Sequence, residues 1–131
     1  MKICSPKGFE ADSKIVEKAK SLSEFGSKIS ISNDPLKAMK DAQVIYTDVW
    51  ASMGQEEEHL KRKKIFENYK VDQKLIELAD EGAIILHCLP AHRGEEITEE
   101  ALEGKSSHVF DQAENRLHVQ QALLAVQLGG I

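Results

Sequence analysis

Three short stretches concentrate the side chains that can do chemistry. The first is Asp48-Val49-Trp50-Ala51-Ser52-Met53-Gly54. The second is His87-Cys88-Leu89-Pro90-Ala91-His92-Arg93-Gly94, and the third is Asp111-Gln112-Ala113-Glu114-Asn115-Arg116. The Asp48 carboxylate can hold an ammonium group by a charge-assisted hydrogen bond, and it serves equally well as a turn or cap carboxylate. Gly54 permits positive φ, so the Ser52-Met53-Gly54 segment is either a loop able to bend over a ligand or an ordinary connection. Cys88 is either a small buried hydrophobe or a polarisable thiol facing a bound amine or carbonyl. A nucleophilic pairing of Cys88 with His87 or His92 is a weaker alternative. Pro90 biases Leu89 toward extended backbone and makes the Leu89-Pro90 bond a candidate for the cis form. Arg116, about one turn into a helix, either builds an anion site or pairs with a neighbouring acid such as Glu114.

Other chemistries lack their residues. No GxGxxG, GxxxxGK[ST] or GxSxG occurs, so nicotinamide, P-loop and serine-hydrolase readings have no main warrant. The spacing of His87, Cys88 and His92 matches no zinc pattern, so no metal and no cofactor are expected. His59, His108 and His118 read as structural or surface residues.

The elements that must position these stretches follow from short apolar runs alternating with helical patterns, which predicts an α/β fold with a parallel sheet. Strands are expected at Lys2–Ser5, Lys28–Ser32, Val44–Thr47, Ala83–His87 and His108–Phe110. Several are continuous apolar runs, as in sheets covered on both faces. Asp12 is expected to cap a helix carrying Ile15, Val16 and Ala19, with Gly26 beyond its end. Asn33-Asp34-Pro35 reads as a cap with proline at the first helical position. Asp72 should cap a helix with Leu75, Ile76, Leu78 and Ala79, stopped by Gly82, and Thr98 a short helix ending near Gly104. A last helix is expected from about Gln112 to Leu128, ended by Gly129-Gly130. In Glu56–Lys64 an acidic block precedes a basic one; on a helix Glu57 faces Lys61 and Glu58 faces Arg62, each pair contributing about 0.2–0.5 kcal/mol. In such a sheet ligands sit beyond the carboxyl ends of strands, which is where all three stretches fall.

Composition narrows the partners. The 131 residues carry 41% hydrophobic and 30% charged side chains, an ordinary globular balance for one domain. Lys plus Arg number 17 and Asp plus Glu 22, a net charge of −5. That charge and a 5% aromatic content argue against nucleic acid as a partner. No apolar run is long enough to span a bilayer, and no signal-peptide pattern opens the chain, so no membrane partner is expected. Two cysteines, Cys4 and Cys88, do not make a disulfide scaffold, which suits a reducing cytoplasm.

Taken in order, the three stretches resemble the ornithine carbamoyltransferase family. The opening Ser5-Pro6-Lys7-Gly8-Phe9-Glu10 and the Asn33-Asp34-Pro35 element fit as well, so the likeness runs through nearly the whole chain. The resemblance implies a doubly wound, mostly parallel Rossmann-like sheet with helices on both faces. It implies carbamoyl transfer from carbamoyl phosphate to the δ-amino group of L-ornithine, giving L-citrulline and phosphate, a step of arginine biosynthesis. It implies roles by motif: Asp48 for the ornithine α-amino group, Ser52 and Met53 for the amino-acid end, and Cys88 beside the δ-nitrogen. Leu89 would offer its carbonyl to the carbamoyl amide, and Arg116 would polarise the carbamoyl oxygen. No covalent intermediate is implied.

Residues 1–131 would then be an ornithine-binding domain. The family's S-T-R-T-R and H-P-x-Q elements do not occur, nor does its G-D-x-N-N strand. The expectation is a C-terminal portion lacking an N-terminal domain, and lacking the central strand between Lys2–Ser5 and Val44–Thr47. Its sheet edges would be exposed, and the portion would be inactive alone. The complete family is usually a trimeric homo-oligomer. A non-catalytic module of the same fold, and a carbamoyltransferase for another amine, stand as alternatives.

Overall fold

The computed structural model describes residues 1–51 and 56–129. The Ser52-Met53-Gly54 loop, the Glu57 side chain expected to face Lys61, and Gly130 lie outside the described residues. Strands β1 (Lys2–Cys4), β2 (Ser30–Ser32), β3 (Val44–Thr47) and β4 (Ile84–His87) alternate with helices. The helices are α1 (Ser13–Ser21), α2 (Pro35–Met39), α3 (Glu56–Phe66), α4 (Gln73–Ile76), α5 (Glu99–Leu102) and α6 (Val109–Gln127). The helix starts are local chemistry. Asp12 accepts the Lys14 and Ile15 amides, Asp34 those of Leu36 and Lys37, Asp72 that of Leu75, and Thr98 that of Ala101. Pro35 stands at the head of α2, where its missing N–H costs nothing. Helix α4 is shorter than the sequence suggests: it stops at Ile76, and the chain continues to Gly82 as turns.

All strand pairs are parallel, but they form two sheets. β1 pairs with β2, and β3 with β4. The second pair is in a register that sets Ile45 against Ile85 and Thr47 against His87. The apolar core lies on this half: Ile45, Val71, Ala83, Ile85, Ile97, Ala101, Leu102 and Val109 are buried together. Ile97, completely buried, is held by a bridge to Val71, and its removal to Ala is worth about 2–5 kcal/mol in such a setting. The β1–β2 half leans on this core through α2 and through the edge-on stacking of Phe9 against Phe66, with centroids 5.0 Å apart.

Between the two sheets runs a groove of about 900 Å³, walled by Lys2 and Cys4 of β1 on one side and Val44–Thr47 of β3 on the other. Among the described residues no strand lies between β1 and β3, so each presents an unpaired edge there. The exposed side chains of β3 are large and apolar, Val44 at 53% and Tyr46 at 57%.

The strand expected at His108–Phe110 is not one. Ser107 makes a single parallel bridge to Ile85, and His108 donates its amide to the Ile85 carbonyl. The chain then turns directly into α6 at Val109, three residues earlier than expected. The physical reason is packing: Val109 is completely buried as the first helical residue, where it closes the core against β4. Beyond that turn α6 runs outward. Leu117, Leu123, Leu124 and Val126 are more than half exposed, and Leu128 is 82% exposed. Exposed apolar area of this extent marks a surface made to be covered.

The isolated chain is therefore expected to self-associate or bind a hydrophobic dye strongly. Sedimentation velocity across a concentration series checks this. A concentration-independent monomer, with a urea midpoint typical of an intact domain, would contradict it.

Candidate active site

Parallel pairing of β3 and β4 ends both strands at the same level, so the residues that follow them meet. The Cys88 thiol donates to Asp48 Oδ1 at 2.9 Å, and the Val49 amide donates to the same oxygen at 2.7 Å. Both side chains are exposed at the rim, so the second Asp48 oxygen is open to a cation. The Asp48 hydrogen bond pushes the Cys88 thiol up from its ordinary value, with burial and the Asp48 charge adding to the effect. A thiol whose ionisation is disfavoured in this way is a weaker nucleophile. Nor does His87 activate it. His87 Nδ1 accepts the Leu89 amide at 2.8 Å, and Nε2 is hydrogen-bonded to Glu96 Oε1 at 3.1 Å. The Cys–His nucleophile reading therefore fails at His87 on geometry.

Leu89 departs from the extended backbone expected before a proline. Its φ is +53°, in the left-handed region, and the Leu89-Pro90 bond is cis. For a leucine this conformation costs on the order of 1–3 kcal/mol and persists only where neighbours over-determine it. The hydrogen bond from its amide to His87 Nδ1 is one such constraint. The outcome is that Cys88 faces solvent while His87, one residue earlier, is completely buried, as alternation along a strand requires.

The third stretch reaches this rim through a residue that sequence reasoning passed over. Gln112 accepts the His87 amide at 3.1 Å and donates to the Tyr46 hydroxyl at 3.2 Å, tying α6 to the ends of β3 and β4. Arg116 follows it by four residues, so it lies on the same helix face, about 6 Å further along the axis. It is exposed and makes no ion pair among the described residues; the pairing with Glu114 is absent, and Glu114 instead contacts His118 at 3.3 Å. Ser52 and Met53 lie outside the described residues. Once α6 is known to start at Val109, Gln112 falls on its first turn beside β4. The misplaced strand hid that signal.

Helix α3 closes one side of the rim and is more than a solvated face. Arg62 pairs with Glu58 at 3.1 Å and donates to the Trp50 carbonyl at 3.1 Å. His59 and Lys63 converge on Glu95 at 2.8 and 3.1 Å. Burial acts against ionisation of Glu95, but the hydrogen bonds from Lys63 and His59 outweigh it and hold the carboxyl below its usual range. Two triads place metal-ligating atoms within 4.8 Å of one another, Asp48–His87–Cys88 and His59–His92–Glu95. In the first, both nitrogens of His87 are already engaged. In the second, Lys63 and His59 already hold the carboxylate.

Chemically, the rim presents an anion able to grip an ammonium, a neutral thiol beside it, a backbone carbonyl in a strained turn and a cation on an adjoining helix. That set suits a small zwitterion and an acyl group that gains negative charge on its oxygen.

Comparison with known proteins supplies the context. Residues 1–127 match the family model described as aspartate/ornithine carbamoyltransferase, Asp/Orn binding domain. The chain is 61% identical over 131 residues to an ornithine carbamoyltransferase of Prochlorococcus marinus, covering all of this chain and 41% of that protein. It is 54% identical over 129 residues to one from Trichormus variabilis, covering 98% of this chain and 42% of the relative. Its structure superimposes on ornithine carbamoyltransferase from Pyrococcus furiosus with a TM-score of 0.90 at 49% identity, over 99% of this chain and 42% of that one. The chain thus spans less than half the length of the relatives it matches.

Replacing Asp48 with Asn removes the charge that opposes Cys88 ionisation. The thiol is expected to be alkylated several-fold faster at pH 8 in Asp48→Asn than in the unsubstituted protein, since each unit of thiol pKa changes the thiolate fraction about tenfold. Iodoacetamide kinetics with peptide mapping checks this. An unchanged or slower rate at Cys88 would contradict it.

Proposed function

This chain belongs to the aspartate/ornithine carbamoyltransferase family, and from that premise we propose that it supplies the ornithine-binding part of an enzyme that carbamoylates ornithine. The reaction joins the ornithine δ-nitrogen to the carbamoyl carbon of carbamoyl phosphate. The carbon–oxygen bond to phosphate breaks, and an amine proton leaves with the phosphate. The products are citrulline and inorganic phosphate.

The observation that carries the reading is the Asp48–Cys88 contact at the joint ends of β3 and β4. Asp48 holds the ornithine α-ammonium through its free oxygen. The Asp48 contact disfavours the Cys88 thiolate that attack on the carbamoyl carbon would need, which favours direct attack by the amine with Cys88 as a neighbour that orients it. The Leu89 carbonyl accepts from the carbamoyl amide. Arg116 faces the carbamoyl oxygen, where negative charge develops. Ser52 and Met53 contact the amino-acid end. Catalysis of this kind is positioning and electrostatics, with no covalent enzyme step.

The remainder of the enzyme binds carbamoyl phosphate and covers what this chain leaves open. The groove between β1 and β3 suits a central parallel strand, since both of its walls are parallel edges. The apolar residues of α6 suit contact with the carbamoyl-phosphate domain. Among the described residues no helix is long and apolar enough to cross a membrane. Cys4 and Cys88 are both free thiols, which supports a cytoplasmic setting.

A chimera in which this chain replaces the 131 matched residues of the Prochlorococcus relative tests the reading. It is expected to form citrulline from ornithine and carbamoyl phosphate, whereas the isolated chain is expected to form none. Arg116→Ala in the chimera should lower kcat by about 10²–10³, the usual effect of losing one donor to a developing oxyanion. Asp48→Asn should act mainly on the KM for ornithine. An inactive but folded chimera, or full activity in Arg116→Ala, would contradict the assignment.

A further inference from the structure

Beneath the rim lies a buried polar pair that the transfer reaction itself does not use. His87 and Glu96 are both 0% exposed. Glu96 is fixed by its own backbone: its carbonyl accepts the Val71 amide at 2.9 Å, beside the completely buried Ile97. From that anchored position its side chain reaches under the 88–92 turn. Oε1 takes the His92 amide at 2.6 Å and the His87 Nε2 contact at 3.1 Å, while Oε2 has no hydrogen-bond partner among the described residues.

The protonation pattern of this chain of contacts follows from its ends. The Leu89 amide can only donate, so His87 Nδ1, which receives it, carries no proton. The ring hydrogen must then sit on Nε2 and be donated to Glu96. A proton on Nδ1 would face the Leu89 N–H and break that bond. Glu96 therefore selects the histidine tautomer, and the tautomer holds Leu89 in its left-handed conformation. A carboxylate that orients an imidazole, which in turn orients a reacting group, is a familiar division of labour in sites of this kind. On the other side of the turn, the same oxygen holds the His92 amide. The segment bearing the Cys88 thiol and the Leu89 carbonyl is thus gripped at both ends by one carboxylate.

We propose that Glu96 is a positioning residue for carbamoyl transfer, acting through His87 to set the backbone of Leu89 and with it the direction of the Cys88 thiol and the Leu89 carbonyl. The geometry stands on the structure alone; the catalytic consequence rests on the carbamoyl-transfer reading. It makes a specific demand on side-chain chemistry. Glutamine keeps an acceptor oxygen at the same reach, so Glu96→Gln preserves the tautomer and the turn. Alanine removes the acceptor, frees the tautomer and releases both amides.

The test uses the chimera, in the unsubstituted form and as Glu96→Gln and Glu96→Ala. Nitrogen-15 spectra of His87 are expected to show a bare Nδ1 and a protonated Nε2 in the unsubstituted and Gln proteins. In the Ala protein they should show mixed tautomers and a displaced Leu89 amide resonance. With activity as the readout, Glu96→Ala should lose about a hundredfold in kcat, the scale of a misplacement near 1 Å, with a smaller change in KM, while Glu96→Gln recovers most of it. A His87 proton on Nδ1 in the unsubstituted protein overturns the proposal without any variant, so failure of Glu96→Ala to fold does not protect it. A folded Glu96→Ala protein with unmoved Leu89 and unchanged kcat also overturns it, as does a Gln variant as impaired as Ala. If the unsubstituted chimera makes no citrulline, it is the carbamoyl-transfer reading that fails, and the spectra still decide the clamp.

Discussion

Everything at the rim depends on the register in which β3 pairs with β4. Thr47 stands opposite His87, so the next residue of each strand, Asp48 and Cys88, emerges at one level and close enough to share a hydrogen bond. A slip of β3 by one residue would turn Ile45 out of the core it shares with Ile85 and take Asp48 away from the thiol. The register is fixed because Ile45 and Ile85 are buried in the same core and because His87 is completely buried against Glu96. Apolar packing thus sets the position of the polar site.

The same half of the molecule that holds this core also holds the Leu89 backbone at positive φ. A leucine at positive φ beside a cis proline is not a conformation that local sequence preferences favour. Its amide is held by a histidine whose two ring nitrogens are both engaged, and that histidine's own amide is held by Gln112 reaching across from α6. Rigid support beneath an exposed rim is what a positioning site needs, since small displacements of an orienting group are expensive in rate. The β1–β2 half is looser. Among the described residues Pro6 and Val16 are its buried apolar side chains, and it leaves a groove along β3. A chain built this way has an ordered site and an unfinished sheet, in keeping with its covering about 41% of the length of its relatives.

Local chemistry was legible in the residues. Asp12, Asp34-Pro35, Asp72 and Thr98 all start helices, because an N-cap hydrogen bond involves only the next two or three amides. The apolar runs at 44–47 and 84–87 are strands, because both are short, β-branched or leucine-rich and bounded by turns. What failed were the features set by distant neighbours. Val109 and Phe110 are good strand formers, yet the pairing available beside Ile85 ends with Ser107, and burial of Val109 favours the helix. Glu95 and Glu96 look alike in sequence. One is held by Lys63 and His59 of α3 and the other is sealed beneath a turn, a difference made by pairing with Val71 that no local pattern carries. Asp48 and Cys88 were marked by their place after strands and by family motif. Gln112, Tyr46 and Glu96, which connect that rim to the body, became visible only in three dimensions.

The account stands or falls on whether the rim around Asp48, Cys88 and Arg116 embraces an amino acid together with an acyl donor. Calorimetric titration of the assembled chimera with a bisubstrate analogue, an ornithine whose δ-nitrogen carries a phosphonoacetyl group, measures this directly. The account predicts one tight site per chain, weakened strongly by Asp48→Asn and by Arg116→Ala. Equal affinity in all three proteins, or no binding to a folded chimera, would contradict it.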